Sequence, residues 1–217
     1  MVITFVPYPD IKKSLSSLDD RRLGKQRVEA YQIIQALTEK NKKKKGWTKH
    51  PATLMWKGYE NCLKFYLNEC IKEWISREKV NNLPLFDVDE EDIEYPWWWG
   101  WEIVHQSHMC ALMRKNPWDY EGFKSEIKDF MINYGYVWPS KCSEEDKEQE
   151  FDEELAKRIC AEINPLQLRP FCKQEGCRNF QKHEMKGKKM VFKNYCGVHL
   201  NRRSKGKKKK KTEEDSN

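Results

Sequence analysis

Between Leu18 and Leu37 one predicted helix carries two stripes. Leu23, Ala30, Ile34 and Leu37 recur at heptad spacing and supply an apolar face to bury. Asp19, Arg22, Gln26 and Glu29 recur at the same three/four spacing and form a polar row. A charged row ordinarily faces solvent. This one lies beside the apolar stripe instead of opposite it, where the floor of a cleft would sit. Acid, base and amide side chains on a rigid helix at the edge of a core suit a catalytic surface.

Further along, EKNKKKKGW reads as a basic loop ending in a glycine breaker. His50-Pro51 then opens a second long helix, with Pro51 at a favoured first-turn position and Met55, Tyr59, Cys62, Tyr66, Cys70 and Trp74 keeping a three/four rhythm. Residues 79–96, rich in Asn, Pro and acids, predict a loop. A third helix runs from about Trp101 to Lys115 and stops before Pro117. Residues 118–134 predict a shorter fourth helix packed through Tyr120, Phe123, Ile127 and Phe130, and Tyr136-Val137-Trp138-Pro139 closes the domain. Glu144 to Ile163 reads as a solvated acidic linker helix, with Phe151, Leu155 and Ile159 docking lightly. The expectation is a mainly α protein: a helical domain over 1–140, an acidic linker over 141–165, a small zinc-binding module over 166–201 and a disordered basic tail over 202–217.

At 217 residues the chain can bury one good core with a small appendage. Hydrophobic residues make up 38% and charged residues 35%, and no run approaches the ~18 apolar residues of a membrane span. MVITFVPYPDIKK has no apolar signal region after a basic start, so secretion is not expected. Cys62, Cys70, Cys110, Cys142 and Cys160 are scattered as reduced core thiols are, which places the chain in an intracellular, reducing compartment.

The net charge of +7 hides a division. Cys172 to Lys211 holds fifteen Lys/Arg against two Glu, while residues 1–171 hold 26 basic and 29 acidic residues. Fourteen of those acids lie in two short runs, 87–94 and 143–154, so the helical body is itself basic enough to sit on a polyanion.

Cys172-x4-Cys177-x18-Cys196-x2-His199 offers four soft ligands as two short pairs around a loop, a spacing that presents thiolate and imidazole tetrahedrally to Zn²⁺. So small a lysine-rich segment could not fold on burial alone, so the metal is structural and supplies folding energy. The pattern bears a weak resemblance to a Cys-Cys-Cys-His repeat of algal and large-virus proteins. Arg202, Arg203 and Lys205 through Lys211 form a basic tail. It would add sequence-blind, salt-sensitive affinity for phosphate, and it fits a nuclear-import signal or a viral replication site equally.

Four ordered blocks carry a resemblance: TFVPYPDIKKSLSSLDDRRLGKQRVEAYQIIQAL, GWTKHPATLMWKGYE, HQSHMCALMRKNPWDY and YGYVWP. Across roughly residues 3–139 they resemble a bacterial and viral family grouped with the pyrimidine-dimer DNA glycosylases of the phage endonuclease V type. The resemblance implies a compact, mostly helical domain, N-glycosylase action on damaged DNA and AP-lyase strand cleavage. It also implies an α-amine nucleophile, exposed by removal of the initiator methionine, and one assisting glutamate on the first long helix. That helix's pattern falls on Leu18, Asp20, Leu23 and Glu29, which makes Glu29 the candidate carboxylate. Breaking an N-glycosidic bond builds positive charge on the sugar, which a nearby carboxylate stabilises.

The nucleophile is where this sequence departs from the phage type: residue 2 is Val2 where that type has threonine, and the segment before the helix differs in length. An α-amine of pKa ~8 is roughly a tenth neutral at pH 7, whereas a lysine near ~10.4 is almost wholly protonated. Val2 is therefore favoured over Lys25; with neither, Glu29 or Asp20 could activate water. Arg21, Arg22, Gln26 and Arg27 on the first helix, and His105, His108, Arg114 and Lys115 on the third, are candidate contacts to duplex DNA. Trp97, Trp98, Trp99 and Trp101 either stack on bases or cap the core. Two other readings stay open beside the glycosylase: a non-catalytic nucleic-acid-binding zinc protein, and a zinc-dependent protein-interaction adaptor.

Overall fold

Among the described residues no strand pairs with residues 3–6, and side chains from three helices bond the backbone of Ile3, Phe5 and Val6 instead. The computed structural model describes residues 3–38, 47–91, 93–163, 173–175, 177–186 and 189–200, and the chain divides after Ile163 into two units. The first unit is helical: α1 (Ile11–Ser16), α2 (Asp20–Thr38), α3 (Pro51–Leu54), α4 (Glu60–Ser76), α5 (Glu102–Lys115), α6 (Glu144–Lys147) and α7 (Glu153–Ile159). Asp10 caps α1 by accepting the Lys13 amide at 2.6 Å. Arg77, just past α4, donates to the Leu18 carbonyl at 2.7 Å and to those of Leu15 and Ser16 at 3.2 and 3.3 Å. One guanidinium thus ties the orphan carbonyls at the end of α1 to α4.

The core is the seam between α2 and α4. Leu23, Ala30, Ile33 and Ile34 of α2 are buried against Cys62, Leu63, Tyr66, Leu67, Cys70 and Ile71 of α4. Gly24 permits the approach, since a Cβ there would lie 3.0 Å from the Trp74 ring. α5 is buried along almost its whole length, from Ile103 to Leu112.

Three expectations change in the structure. The second helix is not continuous: α3 ends after one turn, and Gly58 at φ +89° turns the chain before α4. The break lets Trp56 bury itself and donate its indole N–H to Thr4 Oγ1 at 2.8 Å. Residues 118–134 form two 3₁₀ turns, Glu121–Ser125 and Asp129–Asn133, in place of the shorter fourth helix expected. Long-range bonds shape this stretch, with the Tyr120 hydroxyl on Asp19 Oδ2 at 2.6 Å and the Lys128 amide on Gln106 Oε1 at 2.8 Å.

Residues 144–163 are no free linker. They form α6 and α7, bury Leu155 and Ala156 in the same core, and exchange backbone bonds with the chain after the 3₁₀ turns: Gly135 N to Ala161 O at 2.9 Å and Ala161 N to Tyr136 O at 2.8 Å. Acidic composition suggested solvation; the apolar positions inside it found a core to cover.

The second unit contains an antiparallel hairpin, β1 (His183–Lys186) and β2 (Lys189–Phe192), paired from His183↔Phe192 to Lys186↔Lys189, followed by a helical turn at 197–200. Among the described residues no helix is long and apolar enough to cross a membrane.

Candidate active site and metal group

The polar row on α2 does lie against the core, and Glu29 and Gln26 are buried with the apolar stripe. Gln26 Oε1 accepts the Phe5 amide at 2.7 Å, and its Nε2 lies 3.4 Å from Glu29 Oε2. Tyr66 of α4 donates to the Phe5 carbonyl at 2.8 Å, with Gln26 Oε1 3.1 Å away. The same Glu29 oxygen receives the Ile3 amide at 3.5 Å. The extended N-terminal segment is therefore pinned residue by residue onto α2, ending at the carboxylate.

Glu29 is only 8% exposed, and burial raises its pKa above the ordinary carboxylate value, opposed by the Ile3 amide and by Lys25 and Lys115. Lys25 Nζ stands 4.0 Å from Glu29 Oε1, although the lysine side chain is 58% exposed. One side of Glu29 borders a surface depression of about 520 Å³ on the outer face of α2, lined also by Asp20, Arg21, Lys25 and Trp74.

Positive charge gathers around this carboxylate. Arg114 and Lys115, at the end of α5, are half-buried. Burial lowers the Lys115 pKa to about 8, helped by repulsion from Arg22, Lys25 and Arg114 and opposed by Glu29. Arg22 Nε and Arg114 Nε and Nη2 are buried without a hydrogen-bond partner among the described residues, as is the Tyr136 hydroxyl. Arg114 Nη1 donates to the Ile132 carbonyl at 3.3 Å. Burial pushes the Tyr136 pKa up, while Arg114 and Arg22 pull it down and Glu29 adds to the rise, so the fields of all three reach this phenol. A buried carboxylate whose field is shared with Lys25 and Lys115 suits acid–base chemistry on an anionic substrate.

Other candidates are turned to different work. Arg27 is buried, donates to Asn81 Oδ1 at 2.5 Å and stacks over Trp74 at 4.3 Å, on the wall of the same depression as Glu29. Asp20 pairs with Arg77 at 3.1 Å and Lys79 at 2.9 Å, which lower its pKa. His105 Nε2 accepts the Gly100 amide at 3.1 Å, so its Nδ1–H faces the Val6 carbonyl at 2.7 Å. His108 Nδ1 accepts the Val6 amide at 3.0 Å, and complete burial lowers its pKa to about 3. Both histidines hold Val6 of the N-terminal segment. Trp98 and Trp101 are buried, and the indoles of Trp98 and Trp99 donate to the Met55 and Pro9 carbonyls at 2.9 and 2.8 Å, so this cluster packs the core. Arg21 is exposed on α2.

Tyr136 was not among the residues singled out as functional. Its sequence signal was the Gly135-Tyr136 pair inside YGYVWP, a glycine that permits close backbone approach next to a polar aromatic.

In the second unit Cys177, Cys196 and His199 bring their ligand atoms within 4.8 Å of one another, a group that could hold a metal ion. Cys196 Sγ lies 3.9 Å from Cys177 Sγ and 3.3 Å from His199 Nδ1. Val2, Cys172 and the basic tail from Arg202 onward lie outside the described residues.

With this geometry in place, the comparisons become informative. Residues 2–87 match the family model described as pyrimidine dimer DNA glycosylase, so this stretch is similar to that family. The match runs from the pinned N-terminal segment through α2 and α4, and supports a DNA glycosylase-type function in general. No curated protein and no solved structure matches the chain.

Proposed function

We propose that the chain is a DNA N-glycosylase with AP-lyase activity, acting on pyrimidine-dimer-like or otherwise modified bases in duplex DNA. The observation that carries this is the Ile3 amide on the Glu29 carboxylate. The residue bonded to that nitrogen in the sequence is Val2, so a mature α-amine on Val2 begins one residue from the carboxylate.

Glu29 has the properties the chemistry needs. Its raised pKa favours a protonated form able to donate to a departing base, and its ionised form stabilises positive charge on the sugar. In strand cleavage the same group shuttles protons for the imine. Lys25 is the weaker nucleophile, being exposed and drawn to Glu29 as an ammonium. Asp20, held by two cations, is the weaker base.

Arg21, Arg22, Lys25, Arg114 and Lys115 supply the phosphate-facing charge on this reading. The Cys177, Cys196 and His199 group, with Cys172 as fourth ligand, holds a structural Zn²⁺, since two thiolates and an imidazole match its preference. The basic tail adds salt-sensitive attachment to DNA inside the cell.

Borohydride trapping on duplexes with an abasic site or a pyrimidine dimer tests the reading. The expected result is a covalent adduct mapping to residue 2, with strand scission lost when the mature amine is blocked. No base release and no scission on any such duplex would leave a nucleic-acid binder.

A further inference from the structure

We propose that Lys115 is a second acid–base residue of the site, protonating O4′ of the target sugar as its ring opens to the imine while Glu29 serves the departing base. The role rests on the imine reading above and adds a proton donor to it.

Placement comes from the register of three elements. His105 Nδ1 donates to the Val6 carbonyl and His108 Nδ1 accepts the Val6 amide, so α5 runs against the direction of the N-terminal segment. α2 does the same, with Gln26 on the Phe5 amide and Glu29 on the Ile3 amide. Lys115 lies seven residues past His108, two helical turns on, and shares the face that holds the segment. Those turns advance about 10 Å along α5. The extended chain from Val6 back to Ile3 advances about 10 Å as well. The last turn of α5 therefore comes level with Ile3 and with the carboxylate its amide points to.

The surroundings suit the task. Lys115 is half-buried, and among the described residues no hydrogen bond or ion pair holds its ammonium. Lys25, in contrast, is exposed and stands 4.0 Å from Glu29. Arg22, Lys25 and Glu29 of α2 and Arg114 of α5 act on Lys115, while residues 3–6 bring no ionisable side chain. Tyr136, which follows the 3₁₀ turns, shares the fields of Arg22, Arg114 and Glu29. Burial, with three cations against one carboxylate, brings Lys115 to about 8, against ~10.4 for an ordinary lysine. At neutral pH such a group is mostly protonated, yet it releases its proton far more readily than a free lysine does. That balance is what a general acid needs.

The proton count calls for two such groups. The α-amine lone pair forms a bond to C1′ as the C1′–N bond breaks, and the base leaves with that pair and the Glu29 proton. The newly attached nitrogen returns a proton to Glu29. Its lone pair then becomes C1′=N as the C1′–O4′ bond breaks. O4′ keeps the bonding pair and takes its proton from Lys115, which solvent reprotonates. Because O4′ is bonded to the attacked carbon, its acid has to stand at the Ile3 end of the segment, where α5 ends.

The test uses the full chain, a duplex with one preformed abasic site at saturating concentration, and Lys115→Arg. Arginine keeps the phosphate-facing charge but holds its proton at any working pH. In the wild type the rate of forming the borohydride-trapped adduct should rise to about pH 8 and fall above it, as the α-amine and Lys115 titrate. In Lys115→Arg that rate should drop about a hundredfold at pH 7, with the fall above pH 8 gone and duplex affinity kept. A variant that traps at the wild-type rate, or that loses affinity alone, would leave Lys115 as a charge and overturn the proposal. A wild type that forms no adduct removes the imine reading and this role with it, whereas an active wild type with an equally active variant removes the role alone. Independently of activity, the ¹³C-methylated Lys115 signal, identified by its absence in Lys115→Arg, should titrate near 8. Titration at the ordinary lysine value would also refute the proposal.

Discussion

The Ile3 amide points at Glu29 Oε2 from 3.5 Å, across 26 positions of sequence. Each further link in the segment has its own anchor: Thr4 on Trp56, Phe5 on Gln26 and Tyr66, Val6 on His105 and His108. Helices α2, α4 and α5 thus converge on residues 3–6 and fix this segment relative to one carboxylate. Such rigidity is what a constellation of reacting groups requires.

Glu29→Gln should lower base release and scission by about a hundred- to ten-thousand-fold, the range for a positioned acid–base group. Stability should move the other way. A carboxyl whose folded pKa is raised contributes stability below its unfolded value and loses it as pH rises through the folded one. At neutral pH the amide therefore melts at the same temperature or higher. A lowered Tm with retained activity would show Glu29 to be architectural.

The two α5 histidines predict sensitivity to acid. His108 has a folded pKa of about 3, and that of His105 is also lowered by burial, so the unfolded chain takes up these protons first. Stability is fully present above about pH 6.5 and drains away as pH falls toward 3, by on the order of 4 kcal/mol for His108 alone. Urea midpoints measured from pH 7.5 to 4 should fall steeply in the wild type and less in His108→Gln.

Gly135→Ala should cost about 1–3 kcal/mol, because a Cβ there would run into the Ala161 carbonyl and force the two backbones apart. Those backbones carry the Gly135–Ala161 and Ala161–Tyr136 bonds, so Tyr136 should lose its position as well. Thermal melts report the cost, and an unaltered Tm would refute the close approach.

One zinc per chain is expected by metal analysis, lost in Cys196→Ser and weakened in Cys172→Ser. Because the group lies wholly within the second unit, chelation should unfold residues after 163 while melting of the helical unit is unchanged. A chain that binds no metal, or whose second unit survives chelation, would remove zinc as its folding partner.

Much of this was legible in the one-dimensional pattern. The juxtaposed stripes of α2 put Gln26 and Glu29 at the core edge, because three/four spacing on a helix fixes which residues share a face. α5 starts and stops within a residue of its predicted ends, since Pro117 cannot continue it. The lone Gly58 was a weaker cue, and the helix broke there to let Trp56 reach Thr4. In residues 144–163 the apolar spacing pointed to Phe151, Leu155 and Ile159 as the docking side chains, but not to the backbone bonds of Ala161, which depend on a partner distant in sequence.

By itself the sequence determined the helical class, the polar row on α2, the basic character of the body and the cysteine–histidine spacing, all properties of local periodicity or covalent order. Tertiary structure alone decided which charges face one another. It sent Arg27, His105 and His108 inward to hold other elements, and it brought Lys115 and Tyr136 within the field of a carboxylate 86 or more positions away. Coulomb forces and burial act through space, and only the packing of α5 and its following turns against α2 sets that distance.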